Sequence, residues 1–162
     1  SPRATAVHIR RAAQADATAI HRIHREAIRV LCATTYAPEL IAAWHSGSRL
    51  ERFQQHLQSQ SFWLAEQASE VVGFGSLDLA AQRLESLFVS PDAAARGVGR
   101  QLLAALESAA RSEGLEMLRL DASLNAVDFY GRHGWVQESG ATALRLTSGL
   151  TLTGIPMHKL LR

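Results

Sequence analysis

Residues 87–110 read LFVSPDAAARGVGRQLLAALESAA, and the fold turns on how this stretch is taken. Leu87 to Val89 is strand-like, and Pro91 closes the strand because proline cannot donate to a ladder. A small-residue loop follows. Gly97 and Gly99 then open a helix whose apolar side carries Val98, Leu102, Leu103, Leu106 and Ala110. Amides at a helix N-terminus lack intrahelical partners, and the helix dipole adds positive potential there. Glycines let an anion approach those amides without a Cβ in the way. Arg96 and Arg100 stand beside the turn, ready for charge-assisted contacts. On its residues the stretch suits a phosphate or pyrophosphate, though tight strand–helix packing would use the same glycines. A dinucleotide fingerprint would need glycine where Leu102 stands, and a Walker loop would need a lysine.

Upstream, Val7 to Arg11 alternates apolar and basic residues like a short strand, and Asp16 offers an N-cap. Ile20, Ile23, Ala27, Ile28 and Leu31 follow at helical spacing. Pro38 opens a second short helix that Gly47 ends, and Leu50, Phe53 and Leu57 suggest a third. Three strands are expected at Phe62–Glu66, Val71–Ala80 and Arg83–Ser90. Downstream of the helix, Gly114 is the stop signal and Leu115–Ala122 reads as a buried strand. A short helix from about Leu124 to His133 ends at Gly134. The remainder looks like two strands joined at Ser148–Gly149. This order predicts a mixed α/β domain, with antiparallel neighbours in the middle and a strand–helix–strand crossover after them.

The chain has 162 residues, 47% hydrophobic and 20% charged, with a formal net charge of +2. That length fits one domain over 1–162, with 1–6 expected as a flexible N-terminal segment. No apolar run reaches the ~18–20 residues that span a bilayer, so no membrane role is expected. Cys32 is the single cysteine, which excludes an intrachain disulfide and makes a reducing cytoplasm the default compartment. The basic residues are sixteen Arg and one Lys, Lys159, a skew read as genome composition. They do not cluster with aromatics, so nucleic acid is not an expected partner. His21 and His24 lie three apart with no third ligand apparent, so no metal is expected.

The two segments together resemble the GNAT superfamily of acyl-CoA-dependent N-acyltransferases. The family's pyrophosphate loop, Gln/Arg-x-x-Gly-x-Gly/Ala, falls on Ala94, Ala95, Arg96, Gly97, Val98 and Gly99, with Ala94 departing from the first position. The segment ASLNAVDFYGRHGW, residues 122–135, is similar to the second signature, Asn-x-x-Ala-x-x-Phe/Leu-Tyr-x-x-x-Gly-Phe. Tyr130, Ala126, Gly134 and Trp135 take its positions, while Ser123 stands for the Asn and Asn125 follows two residues later. The resemblance covers almost the whole chain.

It implies a mostly antiparallel central sheet of about seven strands, flanked by helices and splayed between the fourth and fifth strands. It implies acetyl-CoA as co-substrate, with no metal. The backbone of Leu87, Phe88 and Val89 would hold the pantetheine arm and polarise the acyl carbonyl. Ala95 to Arg100 would hold the pyrophosphate, and Ser123 and Asn125 the pantetheine. Tyr130 matches the family's tyrosine and becomes the candidate general acid. Glu85 is the candidate base, ahead of Asp78 and Asp121. Strand alternation would put it on the face of Leu87 and Val89, unless a bulge intervenes.

Tyr36 and Trp44 are the distinctive residues of the expected acceptor side, although both could equally be core aromatics. Cys32 has no evident His partner, which argues against a covalent acyl-enzyme. The expected activity is direct acetyl transfer in a ternary complex to the amine of a small molecule, by a monomer or homodimer. The alternatives are a protein or peptide N-terminal acetyltransferase, a non-catalytic acyl-CoA-binding module, and a nucleotide-binding domain.

Overall fold

Eight strands form one sheet in the order β1-β2-β3-β4-β5-β8-β6, with β7 paired to β8 off that path. The computed structural model describes residues 6–94, 96–146 and 148–162. The strands are β1 (His8–Arg11), β2 (Ser61–Gln67), β3 (Glu70–Asp78), β4 (Arg83–Val89), β5 (Met117–Ser123), β6 (Val136–Gln137), β7 (Thr142–Arg145) and β8 (Thr151–Leu160). The helices are α1 (Ala17–Leu31), α2 (Pro38–Gly47), α3 (Leu50–Ser59), α4 (Val98–Ser112) and α5 (Val127–Arg132). Every neighbouring pair is antiparallel except β4 and β5, which run parallel and share the single register pair Arg83↔Arg119. A sheet splayed between the fourth and fifth strands is therefore what the chain forms.

Alternation along the strands sorts the core onto two faces. Phe62, Leu64 and Phe74 pack under Ile20 and Ile23 of α1. On the other face, Leu77, Leu84, Leu118 and Leu120 meet Leu103, Leu106 and Ala110 of α4. Burying each of these leucines or isoleucines is worth about 1.5–3 kcal/mol. α4 lies unusually close to the sheet at Gly73 and Gly75. A Cβ on Gly75 would sit 2.5 Å from Leu106 Cδ1, and one on Gly73 would sit 2.9 Å from Leu102 Cδ1.

The lone lysine has a definite place in this packing. Lys159 Nζ donates to Glu107 Oε1 at 2.7 Å and to the His133 carbonyl at 2.8 Å. Trp135 Nε1 donates to the other oxygen of the same buried carboxylate at 3.1 Å. The cluster ties α4 to β8 and to the turn after α5, and it leaves neither charge buried alone.

Two expectations need correction. Asp16 does not cap α1 through its side chain. Its carboxylate instead reaches back to the Ala13 amide at 2.7 Å and takes two bonds from Arg10, each 2.9 Å, fastening the helix entry to β1. That arginine also holds the Asp16 carboxyl below the usual range. The expected sheet of about seven strands is present, with eight strands among the described residues. The extra one is β6, two residues paired with the far end of β8, too short to show any periodicity. The expected helix over 124–133 begins as a 3-10 turn at Leu124–Ala126 before α5.

Candidate active site

The splay opens into a cavity of about 880 Å³ that runs between both faces of the sheet. Beyond Arg83, no β4 residue pairs with β5. On its other side β4 is fully engaged, with Gly75↔Leu87, Phe74↔Phe88 and Gly73↔Val89. Backbone groups of Leu87, Phe88 and Val89 on the β5 side therefore meet the cavity instead of a strand, and all three residues line it. Leu120, Ala122 and Ser123 of β5 form the facing wall.

At one end the cavity reaches the start of α4, where Ala94 and Gly99 line it. Gly97 has φ +80°, the left-handed region, and no side chain caps the helix behind it. The first amides of α4 are thus left for another acceptor. Arg100 folds back over this turn, its guanidinium nitrogen 3.6 Å from where a Gly97 Cβ would lie. Gly99 packs against Phe129, so its small size also admits α5. Arg96, Gly97, Val98 and Arg100 adjoin the turn without lining the cavity itself. Ala95, expected among the phosphate contacts, lies outside the described residues, as do residues 1–5 of the expected N-terminal segment.

Tyr130 stands on α5 with its ring buried against Phe129 and Trp135, and it lines the cavity. Its hydroxyl has no hydrogen-bond partner among the described residues, and burial pushes the phenol's pKa well up, so the proton stays on. Glu85 lines the cavity as well. The register steps from Leu77↔Leu84 to Ser76↔Ser86, which leaves Glu85 as the extra residue of a β-bulge. The bulge breaks the alternation expected to group Glu85 with Leu87 and Val89. Desolvation raises the Glu85 carboxyl pKa; Arg83 opposes the rise, while Asp78 and Asp121 add to it. Arg83 is shared, 3.5 Å from Glu85 and 2.6 Å from Asp121.

The remaining expected residues separate. Trp44 lines the cavity, but Tyr36 does not. Tyr36 is a strut: its hydroxyl donates to the Thr153 carbonyl at 2.7 Å and accepts from the Leu124 amide at 2.8 Å, tying the α1–α2 loop to β8. Asn125 lines the cavity, and its side chain opposes a rise in the pKa of the Cys32 thiol. Burial nevertheless pushes the Cys32 thiol up to about 11, so it is held as the unreactive thiol.

Sequence reading missed His24. The residue lines the cavity from α1, with its ring edge-on to Phe53 and Phe88 and Nδ1 2.7 Å from Ser48 Oγ. Burial, with His21 and His45 nearby, lowers its pKa to about 3, so the ring is neutral. Its position four residues after Ile20, on the helix face that carries Ala27 and Ile28, was the available signal. Among the described residues no group of three or more His, Cys, Asp or Glu could hold a metal ion. No helix among them is long and apolar enough to cross a membrane.

Comparison with known proteins adds a family to this geometry. The model of the acetyltransferase (GNAT) domain matches residues 32–161. A GCN5-related N-acetyltransferase from Rhodopseudomonas palustris superposes with a TM-score of 0.88 at 30% identity, covering 98% of each chain. The PaiA N-acetyltransferase of Thermoplasma acidophilum, solved with coenzyme A, gives 0.75 at 21% identity, covering 96% of this chain and 99% of that one. YncA of Salmonella typhimurium, solved with its cofactor acetyl-CoA, gives 0.64 at 22%, covering 98% and 95%. No curated protein matches in sequence.

Proposed function

Since the chain belongs to the GNAT acetyltransferase family, we propose that it transfers an acetyl group from acetyl-CoA directly to the amine of a small molecule, both substrates bound together. The observation that carries this reading is the cleft between β4 and β5. It offers unpaired backbone beside Leu87, Phe88 and Val89, an uncapped helix start at Gly97, and a protonated phenol on the same cavity. Those features fit a thioester, a diphosphate and a leaving sulfur in that arrangement.

Acetyl-CoA, when bound, supplies an activated acyl carbon. The α4 amides behind Gly97, with Arg96 and Arg100, bind the diphosphate. Backbone amides of Leu87–Val89 polarise the carbonyl; Ser123 supports the pantetheine from β5. Tyr130 donates its proton toward the sulfur. Burial that raises the phenol's pKa raises that of a thiol in the same dry space, so the transfer stays near balance. Glu85 accepts the proton lost by the amine, through water, and its raised pKa brings it closer to that task. Cys32 takes no part, because a thiol at about 11 is not ionised at neutral pH.

A thiol-release screen with acetyl-CoA against amines tests this directly. Amine-dependent release of coenzyme A with an N-acetylated product is the expected result. Tight coenzyme A binding without release for any amine would favour a binding module.

A further inference from the structure

We infer that the acceptor carries a carboxylate as well as its amine, and that Arg49 and Arg52 hold that carboxylate. This rests on the acetyl-transfer reading above, which supplies the amine. The cavity wall opposite β4 is built where α2 gives way to α3, and both arginines line it. Neither has an acidic partner among the described residues. Among the described residues Arg52 donates one hydrogen bond, to the Gly47 carbonyl at 3.3 Å, and Glu51 between them is exposed and outside the cavity. Arg83, which also lines the cavity, is in contrast held by Asp121 and Glu85. An arginine fork left open in a cavity is suited to bidentate recognition of a carboxylate.

The two walls have opposite polarity. Glu85 and Asp121 stand on the strands, the open arginines stand at the start of α3, Arg49 just before it and Arg52 within it, and the rings of Phe53, Phe62 and Phe88 also line the cavity. His24 and His56 add no positive charge on the α3 side, since burial lowers both. Arg145 adds a further open cation from β7. A molecule with a cationic or neutral amine at one end and an anion at the other fits this field. The arginines are also separate from the diphosphate turn. Phe53 packs on Phe74 and His24, on the α1 face of the sheet, whereas the turn opens α4 on the other face.

The test uses calorimetry on protein saturated with coenzyme A, then kcat/KM with acetyl-CoA. Leucine, phenylalanine, 4-aminobutyrate and 6-aminohexanoate are each paired with the amine lacking the carboxyl group. At least one carboxylate-bearing amine is expected to bind, and to exceed its partner by about 10-fold or more in affinity and kcat/KM, as a charged bidentate bond implies. In Arg52→Gln with Arg49→Gln that ratio falls toward one, mainly through KM, with Arg52→Lys intermediate and coenzyme A affinity unchanged. Equal use of the paired amines, no binding by any carboxylate-bearing amine, or weakened coenzyme A binding in the variants would overturn the inference. Binding of a carboxylate-bearing amine without thiol release would support the site and sink the transfer reading instead.

Discussion

Arg83 on β4 and Arg119 on β5 form the one register pair between two strands that run side by side in parallel. Past that point the strands diverge, and the backbone that would have zipped them faces a cavity. One register pair joins the two strands at the base while the rest of the boundary stays open to the cavity.

Tyr130→Phe removes the phenolic proton and keeps the ring that packs on Phe129 and Trp135. We expect kcat to fall by about 100-fold or more, the usual scale of a general acid, with little change in KM for acetyl-CoA. Steady-state thiol release checks both numbers. An unchanged kcat would remove Tyr130 from the chemistry.

Glu85→Gln keeps the bulge but cannot take a proton. The wild-type carboxyl has its pKa raised by desolvation and by Asp78 and Asp121, so kcat/KM should fall on the acid side above the ordinary carboxylate range. In the variant that limb disappears and the plateau drops. If the limb survives in the variant, the base lies elsewhere, with Asp121 the next to examine.

Gly75→Ala should cost about 1–3 kcal/mol, because its Cβ would press on Leu106 Cδ1 at 2.5 Å and on the Ser86 carbonyl at 3.1 Å. Gly140→Ala is the control, since nothing lies within 4 Å of its Cβ. Urea midpoints of the two proteins make the comparison. Equal midpoints would mean that α4 can lift from the sheet without penalty.

Stability should fall as pH drops below the ordinary histidine range. His24 titrates near 3 in the folded chain and near 6.5 when unfolded, so between those values the unfolded state binds the extra proton. His45 and His56 are lowered too and act in the same direction. Thermal midpoints from pH 7.5 to 4 are expected to decline, and more gently in His24→Gln. A flat profile in the wild type would show that His24 is hydrated and not buried.

Local signals carried much of this fold. Helical spacing gave α1 through Ile20, Ile23 and Ala27, and Gly97 with Gly99 marked the start of α4 because their backbone needs are written in residue type. What depends on distant contacts did not show. The Glu85 bulge is set by how β3 and β4 register, the Tyr36 strut needs Thr153 and Leu124 from over 80 residues away, and β6 is too short to leave a pattern. Nothing in the local sequence sets Arg49 and Arg52 apart from the other arginines, because only the fold brings the start of α3 to the cavity. Lys159 read as composition until Glu107 and the His133 carbonyl came to meet it.

The proposed reaction is the binding of acetyl-CoA in the β4–β5 cleft and the passage of its acetyl group to an amine. The most direct measurement follows coenzyme A thiol release and N-acetylated product together, by absorbance and mass spectrometry, across amines with and without a carboxylate. Release is expected to require an amine, to be matched by acetylated product, and to fall by about 100-fold or more in Tyr130→Phe. Binding of a nucleotide in place of coenzyme A, or bound acetyl-CoA that no amine discharges, would contradict it.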